Sequence, residues 1–226
     1  MIGVGTSLLF GRKAGKAGPP IPPFNEAMVD AWFMSGLSNV DKPSSIRGVK
    51  GNEMQLKNFV FTSESGFGEG NYEGALVFDG VDDYGMCTGL PIMDDFTLIC
   101  KREILNTSPG YVANKGLGNA GAFHFESSIQ TSDSNSTTGV WSYGTGNRVK
   151  LEESEVSWMT KNSYNGIELK TGNLSDVNQL YLCRFSSSYT KAAIYYFALY
   201  DKSLTPEEIE TEKERLNEEW LKRKTE

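Results

Sequence analysis

Two aromatic residues, Trp141 and Tyr143, are separated by one position in the sequence, and Trp158 follows in a later apolar run. Residues two apart on an extended strand lie on the same face of the sheet. Sugars stack on aromatic faces with polar groups around them, and the neighbouring segment Ser127–Thr138 is rich in Ser, Asn and Thr. Because such rings are also common in cores, the pattern leaves two interpretations open, a glycan-binding surface and core packing.

Three aspartates, Asp79, Asp82 and Asp83, occur within one short turn sequence. Carboxylates are ligands for Ca²⁺, but this ion takes six to eight oxygens, and three carboxylates alone are too few. The Asp79-Gly80 dipeptide is also typical of a tight turn. We therefore expect no cofactor, and we keep a Ca²⁺ site as the alternative to a plain turn.

The sequence contains no recognisable motif for nucleophilic catalysis. His124 is the single histidine and has no serine or cysteine motif beside it, so no catalytic triad is expected. Cys87, Cys100 and Cys183 lack CxxC or metal-ligand spacing. We expect three buried, reduced thiols, and one disulfide with a free thiol is the alternative.

Composition limits the classes of partner. The 226 residues suit one all-β sandwich, and the 12% aromatic content is enough for a substantial core. A net charge of −7 argues against binding to nucleic acid. No run of 18 apolar residues occurs, so we expect no membrane partner.

Residues 1–27 form a Gly/Pro-rich segment, which we interpret as an extended N-terminal arm. The arm carries apolar and basic residues suited to attachment, namely Leu8, Leu9, Phe10, Arg12, Lys13 and Lys16. The basic residues follow the apolar stretch, whereas a secretion signal has them in front. We expect the arm to dock on a partner protein, and a disordered tail is the alternative.

Residues 28–204 alternate short apolar runs with Gly, Asn, Asp and Ser, which predicts many strands in a sandwich. The predicted strands are 29–34, 54–59, 74–79, 84–88, 96–102, 111–114, 122–126, 139–143, 156–161, 167–171, 179–185 and 191–200. The last one is apolar at nearly every position, as expected of a central strand covered on both faces.

Residues 205–226 are predicted to form a C-terminal helix. Thr205 and Glu208 make a capping box, with Pro206 at the first helical position. An apolar stripe consists of Ile209, Leu216 and Trp220. The stripe is expected either to pack on its own domain or to form an oligomer contact.

A family resemblance rests on three segments: GALVFDGVDDY at 74–84, YNGIELK at 164–170, and AAIYYFALYD at 192–201 followed by LTPEEI at 204–209. Their order and spacing resemble the laminin-G-like branch of the concanavalin A-like domains. The resemblance implies an all-β jelly-roll sandwich of two antiparallel sheets, flanked by the extended arm and the C-terminal α-helix. DDFTLI at 94–99 and the last strand resemble proteins of gut Bacteroidetes and their bacteriophages.

Some members of this fold are glucanases, and those carry Glu-x-Asp-x-x-Glu on one strand, which places two carboxylates on one cleft face. That spacing is missing here, and the nearest acidic run is Glu152-Glu-Ser-Glu155. We therefore predict that the chain is not an enzyme.

Together, these features predict a structural or adsorption component of a bacteriophage virion, such as a head fibre, capsid decoration or tail-associated protein. Such a protein is made in the host cytoplasm and needs no secretion signal. Its expected partners are capsid or other virion proteins bound through the arm, a cell-surface glycan, and further copies of itself in a homo-oligomer. The alternatives are a bacterial lectin-like protein and a glycoside hydrolase relative without catalytic residues.

Overall fold

The computed structural model describes residues 23–91, 96–105, 179–185 and 187–226, and the backbone of six strands between residues 111 and 160. The strands are β1 Met28–Phe33, β2 Ser45–Arg47, β3 Glu53–Lys57, β4 Gly66–Phe67, β5 Leu76–Asp79, β6 Tyr84–Cys87, β7 Thr97–Ile104, β8 Tyr111–Lys115, β9 Phe123–Glu126, β10 Ile129–Ser132, β11 Trp141–Tyr143, β12 Arg148–Lys150, β13 Glu155–Thr160, β14 Leu180–Leu182, β15 Arg184–Phe185, β16 Ser188–Tyr189 and β17 Lys191–Tyr200. Helix α1 spans Pro206–Thr225.

The described strands form two large antiparallel sheets and the separate two-stranded hairpin of β15 and β16. The seven-stranded sheet has the order β12-β13-β7-β17-β5-β4, and β1 lies in line with β5 along the same edge of β17. The eight-stranded sheet has the order β11-β10-β9-β8-β14-β6-β3-β2. The prediction of two antiparallel sheets with a C-terminal helix is confirmed. Residues 1–22 of the predicted arm, including Leu8, Leu9, Phe10, Arg12, Lys13 and Lys16, lie outside the described residues. The end of the predicted arm belongs to the folded domain instead, because Phe24 packs against the core beneath α1 and the Asn25 N–H donates to Glu212.

The main core fills the space between the two sheets, with Trp32, Phe78 and Phe197 among its largest side chains. All three cysteines are buried and none forms a disulfide, as expected. Burial raises the pKa of the Cys87 thiol to about 12 and that of Cys183 well above its usual range. Both therefore stay neutral and pack as small apolar side chains.

A second core lies between the seven-stranded sheet and α1. The pairing of β17 with β7 shifts register between Ile194 and Tyr196, and this bulge places both Tyr195 and Tyr196 on the helix side. Strand β17 is consequently buried on both faces, as its apolar sequence predicted.

Helix α1 packs its apolar stripe against its own sheet, so the first of the two expectations for this stripe is confirmed. The capping box is present, because the Glu208 N–H donates to Thr205 Oγ1 and the Thr205 N–H donates to Glu208. Among the described residues no helix is long and apolar enough to span a membrane.

Candidate functional site

A row of residues crosses the outer face of the eight-stranded sheet. Leu180 and Leu182 of β14 are in the core between the sheets, which places the intervening Tyr181 on the opposite face. Tyr181 pairs with Met86 of β6, and Met86 pairs with Gln55 of β3. Since partners in an antiparallel ladder lie on one face, the row starts as tyrosine, methionine and glutamine.

The same register extends the row over all eight strands. On one side Gln55 pairs with Ser45, and on the other Tyr181 pairs with Asn114 of β8. The register then continues through His124, Gln130 and Tyr143. We call these eight positions the transverse row: Ser45, Gln55, Met86, Tyr181, Asn114, His124, Gln130 and Tyr143. Seven spacings of about 4.8 Å make it roughly 34 Å long.

Three tyrosines and an arginine gather at the middle of this row, and we call them the tyrosine–arginine cluster. The rings of Tyr181 and Tyr189 lie 6.3 and 6.4 Å from that of Tyr84. The guanidinium carbon of Arg184 lies 4.4 Å from the Tyr84 ring centroid, and 5.9 and 5.8 Å from those of Tyr181 and Tyr189. Stacking of this kind is a cation–π contact.

The cluster depends on a sharp turn at the end of β14. Cys183 has a φ of +58°, a left-handed conformation that is uncommon for residues other than glycine. The chain there leaves the sheet and forms the small hairpin of β15 and β16, in which Arg184 pairs with Tyr189. The Thr190 N–H donates to the Cys183 carbonyl and closes this hairpin. The hairpin thereby brings Arg184 and Tyr189 to the Tyr84 ring.

Burial and hydrogen bonding fix the floor of the cluster. Tyr181 is 5% exposed, whereas Tyr84, Tyr189 and Arg184 are partly exposed. The Tyr181 hydroxyl donates to Gln179 Oε1 at 2.6 Å. Burial raises the pKa of Tyr181, and Arg184 opposes that rise. The cluster therefore presents the neutral Tyr181 phenol and two further tyrosine rings beside the Arg184 guanidinium.

The aspartate turn forms between β5 and β6, directly before Tyr84. Asp79 Oδ1 accepts hydrogen bonds from the Val81, Asp82 and Asp83 N–H groups. Asp83 Oδ2 accepts from the Asp79 N–H at 3.0 Å. One carboxylate oxygen from each of the three aspartates lies within 4.8 Å of the other two.

The proposed glycan-binding rings do not all belong to one sheet. Trp141 and Tyr143 are in β11, the last strand of the eight-stranded sheet, and Tyr143 is in the transverse row. Trp158 is in β13 of the seven-stranded sheet and pairs with Ile99. Their assignment to sugar binding stays a prediction.

Sequence reasoning missed the tyrosine–arginine cluster. The alternation Leu180-Tyr181-Leu182 was a sign of one outward tyrosine. The proximity of Tyr84 and Tyr189 depends on strand register and on the turn at Cys183, which no local pattern announces.

No protein-family model matches this sequence, and neither does any curated protein. Among solved structures, the fold is similar to Trypanosoma rangeli sialidase, with a TM-score of 0.53 and 13% identity over 88% of this chain and 34% of that chain. The same sialidase with the inhibitor DANA gives 0.49 and 15% over 84% and 33%. The protein therefore spans about a third of the sialidase chain, and identities this low show the fold alone.

A third similar structure concerns botulinum neurotoxin type C, whose cell entry is dependent upon interaction with two ganglioside molecules. The TM-score is 0.39 at 10% identity, over 83% of this chain and 51% of that chain.

These comparisons correct one expectation. The sequence led us to predict that the chain is not an enzyme, and the likeness to a sialidase, which is an enzyme, contradicts that prediction. The missing Glu-x-Asp-x-x-Glu spacing argues against one glucanase arrangement only, and it does not exclude catalysis from this fold.

Proposed function

We propose that this protein binds a glycan on the outer face of its eight-stranded sheet, with the tyrosine–arginine cluster as the central contact. The observation that carries the proposal is the position of this cluster. Its four residues belong to neither core, yet four strands (β6, β14, β15 and β16) and the turn with a positive φ at Cys183 bring them together. Packing of the sandwich does not account for such an arrangement, whereas ligand recognition does.

The chemistry of the face suits a sugar. Partly exposed phenol rings offer apolar surfaces to the C–H face of a pyranose, and the Gln55 amide and the Ser45 hydroxyl of the transverse row can bond its hydroxyl groups. Gln55 lies two strands from Tyr181 in the row, about 10 Å away. A ligand that contacts both must be larger than one sugar ring, so we propose an oligosaccharide or a longer chain.

Binding should be lost when the rings of the cluster are removed. We expect Tyr84→Ala to weaken binding at least about tenfold, or 1.4 kcal/mol, because a stacked ring face and the Arg184 contact both disappear. The ligand is first found on an array carrying mono-, di- and longer oligosaccharides, and its affinity is then measured by isothermal titration calorimetry.

Tyr72→Ala is the matched control, since Tyr72 is a partly buried tyrosine that packs against the helix-side core. It should alter stability and leave glycan affinity unchanged. The proposal is contradicted if no array glycan binds the folded protein, or if Tyr84→Ala and Tyr72→Ala bind equally well.

The narrower role, adsorption of a phage particle of gut Bacteroidetes to a cell-surface glycan, is a further part of this proposal. The resemblance of the sequence segments supports it. In this role the arm attaches the sandwich to capsid or other virion proteins, and the sandwich forms a homo-oligomer.

Deletion of residues 1–22 tests the attachment role. We expect the truncated protein to keep its melting temperature, because residues from Phe24 onward supply every core contact in the part of the chain that the structure describes. Its co-purification with virion proteins should be abolished, measured on particles assembled with either version. Unchanged incorporation would contradict the role of the arm.

A further inference from the structure

A cavity of about 320 Å³ opens where the end of β1, the edge strand β2 and the last turn of α1 meet. This volume is at the lower end of the range for small-molecule sites, so the cavity suits a ligand of modest size. Its apolar walls are Phe33, Leu37 and Ile46, of which Leu37 is 36% exposed. The cavity lies at the Ser45 end of the transverse row and includes no residue of the tyrosine–arginine cluster.

The two serine hydroxyls of the cavity already donate their hydrogens to the protein. Ser35 Oγ donates to the Trp220 carbonyl at 2.9 Å, and Ser45 Oγ donates to Glu53 Oε2 at 2.7 Å. A hydroxyl has one hydrogen to donate, so neither serine offers a donor to a ligand. The side-chain donors that remain in the cavity wall belong to two arginines.

One of these arginines, Arg223, is held in place from two sides. Its Nε–H donates to Glu219 Oε1 at 2.8 Å, and its guanidinium carbon lies 4.8 Å from the centroid of the Phe33 ring. Its two terminal nitrogens form no hydrogen bond within the described part of the chain. A guanidinium oriented in this way offers a preorganised set of N–H groups to an acceptor.

The other arginine, Arg47, carries a charge that no carboxylate of the described residues pairs with. Glu53 lies opposite Arg47 in the ladder of β2 and β3, but it accepts a hydrogen bond from Ser45 instead. The acidic residue of the cavity wall is Glu226, and its carboxylate lies 3.7 Å from the Lys222 ammonium. The cavity therefore has an uncompensated positive charge, which favours an anion.

We propose that this cavity binds a small organic carboxylate, that is, a molecule with one carboxylate group on an apolar body. The carboxylate accepts hydrogen bonds from Arg47 and Arg223, because guanidinium groups match carboxylate geometry. The apolar body lies against Leu37 and Ile46. This site goes beyond the proposed glycan binding and does not depend on it, since no ring of the tyrosine–arginine cluster contributes to it.

The test uses the full chain and compares each acid with its neutral amide by isothermal titration calorimetry. The pairs are benzoate with benzamide and hexanoate with hexanamide. We expect each acid to bind at least about tenfold more tightly than its amide, because the amide lacks the charge that the arginines recognise. Acetate and inorganic phosphate should bind more weakly than benzoate, since neither has an apolar body of comparable size.

Arg47→Gln is the decisive variant, because Arg47 is exposed and its loss should leave the fold intact. It should weaken benzoate binding at least about tenfold. Lys50→Gln is the matched control, since it removes the same charge from an exposed residue of the following loop that does not line the cavity, and it should bind benzoate as the wild type does. Arg223→Lys keeps the charge but loses the planar group, and it should also weaken binding.

Three results would overturn the inference. The first is that neither acid binds the folded wild-type protein more tightly than its amide. The second is that inorganic phosphate binds as tightly as benzoate, which would show that charge alone is recognised. The third is equal affinity of Arg47→Gln and Lys50→Gln for benzoate. Each of these results leaves the glycan proposal to its own array experiment.

Discussion

Asp30→Ala should lower the free energy of unfolding by about 3–5 kcal/mol, because it removes a buried carboxylate that accepts four hydrogen bonds. Asp30 of β1 is fully buried, and its carboxylate accepts four hydrogen bonds. The donors are the Ala31 and Lys50 N–H groups, at 2.7 and 2.9 Å, and the Asn52 N–H and Nδ2, both at 2.8 Å. Without the carboxylate these four donors, which are buried or partly buried, lose their partner.

The Asp30 carboxylate also shapes the loop between β2 and β3. A Cβ atom at Gly48 would lie 2.2 Å from Asp30 Oδ1, so the backbone can wrap this closely only at a glycine. The buried Asp30 carboxylate therefore explains the glycine at position 48.

Urea denaturation followed by circular dichroism measures this effect. Asp30→Asn keeps one acceptor and should cost less than Asp30→Ala. Asp41→Ala is the control, because Asp41 is exposed and accepts one hydrogen bond from Ser38. A loss below about 1 kcal/mol for Asp30→Ala would show that the loop does not depend on this carboxylate.

Trp220→Ala should have an effect of similar size, about 3–5 kcal/mol, because it empties the centre of the helix-side core. The ring is 7% exposed and makes an edge-to-face contact with Tyr195, with centroids 5.5 Å apart. Its Nε1–H donates to the Gly74 carbonyl at 2.9 Å, and the Lys101 ammonium lies 4.0 Å from the ring centroid. All three contacts join α1 to the sheet.

Thermal and urea denaturation of Trp220→Ala should be compared with Leu221→Ala, since Leu221 is the next residue of the helix and is 46% exposed. Leu221→Ala should change stability by less than about 0.5 kcal/mol. Trp220→Phe should recover part of the lost stability. Equal stability of Trp220→Ala and Leu221→Ala would mean that α1 is not anchored through this ring.

Most of the fold was predictable because its signals are local. The apolar run of β17, the period-two pattern of β7 and the Thr205–Glu208 capping box each specify their own element. The bulge at Tyr195 was not predictable. Nearly every residue of β17 is apolar, so the sequence does not show where the alternation of side chains between the two faces of the strand is interrupted. Five strands were missed, since two to four residues are too few to show a clear period: β2, β4, β10, β12 and β16.

For the candidate site, the sequence predicted some of the residues but not their arrangement in space. The aspartate turn is local, and it formed as expected. The transverse row depends on the register of eight strands, and single-residue slips would move it to the other face. Trp141 and Trp158 fall on different sheets because the chain crosses between the sheets from β11 to β12, and composition does not reveal such a crossing.

Strand β17 follows all its neighbouring strands in the sequence, and this order affects folding during synthesis. This strand lies beside β1, β5 and β7, whose residues are all translated before it. Most strands of the seven-stranded sheet are therefore synthesised before its central strand, β17. The strands made earlier have exposed edges and unburied apolar faces during that interval, which favours aggregation. Since the pairing of β1 with β17 joins distant parts of the sequence, we expect folding to be slow and to benefit from chaperones that cover sheet edges.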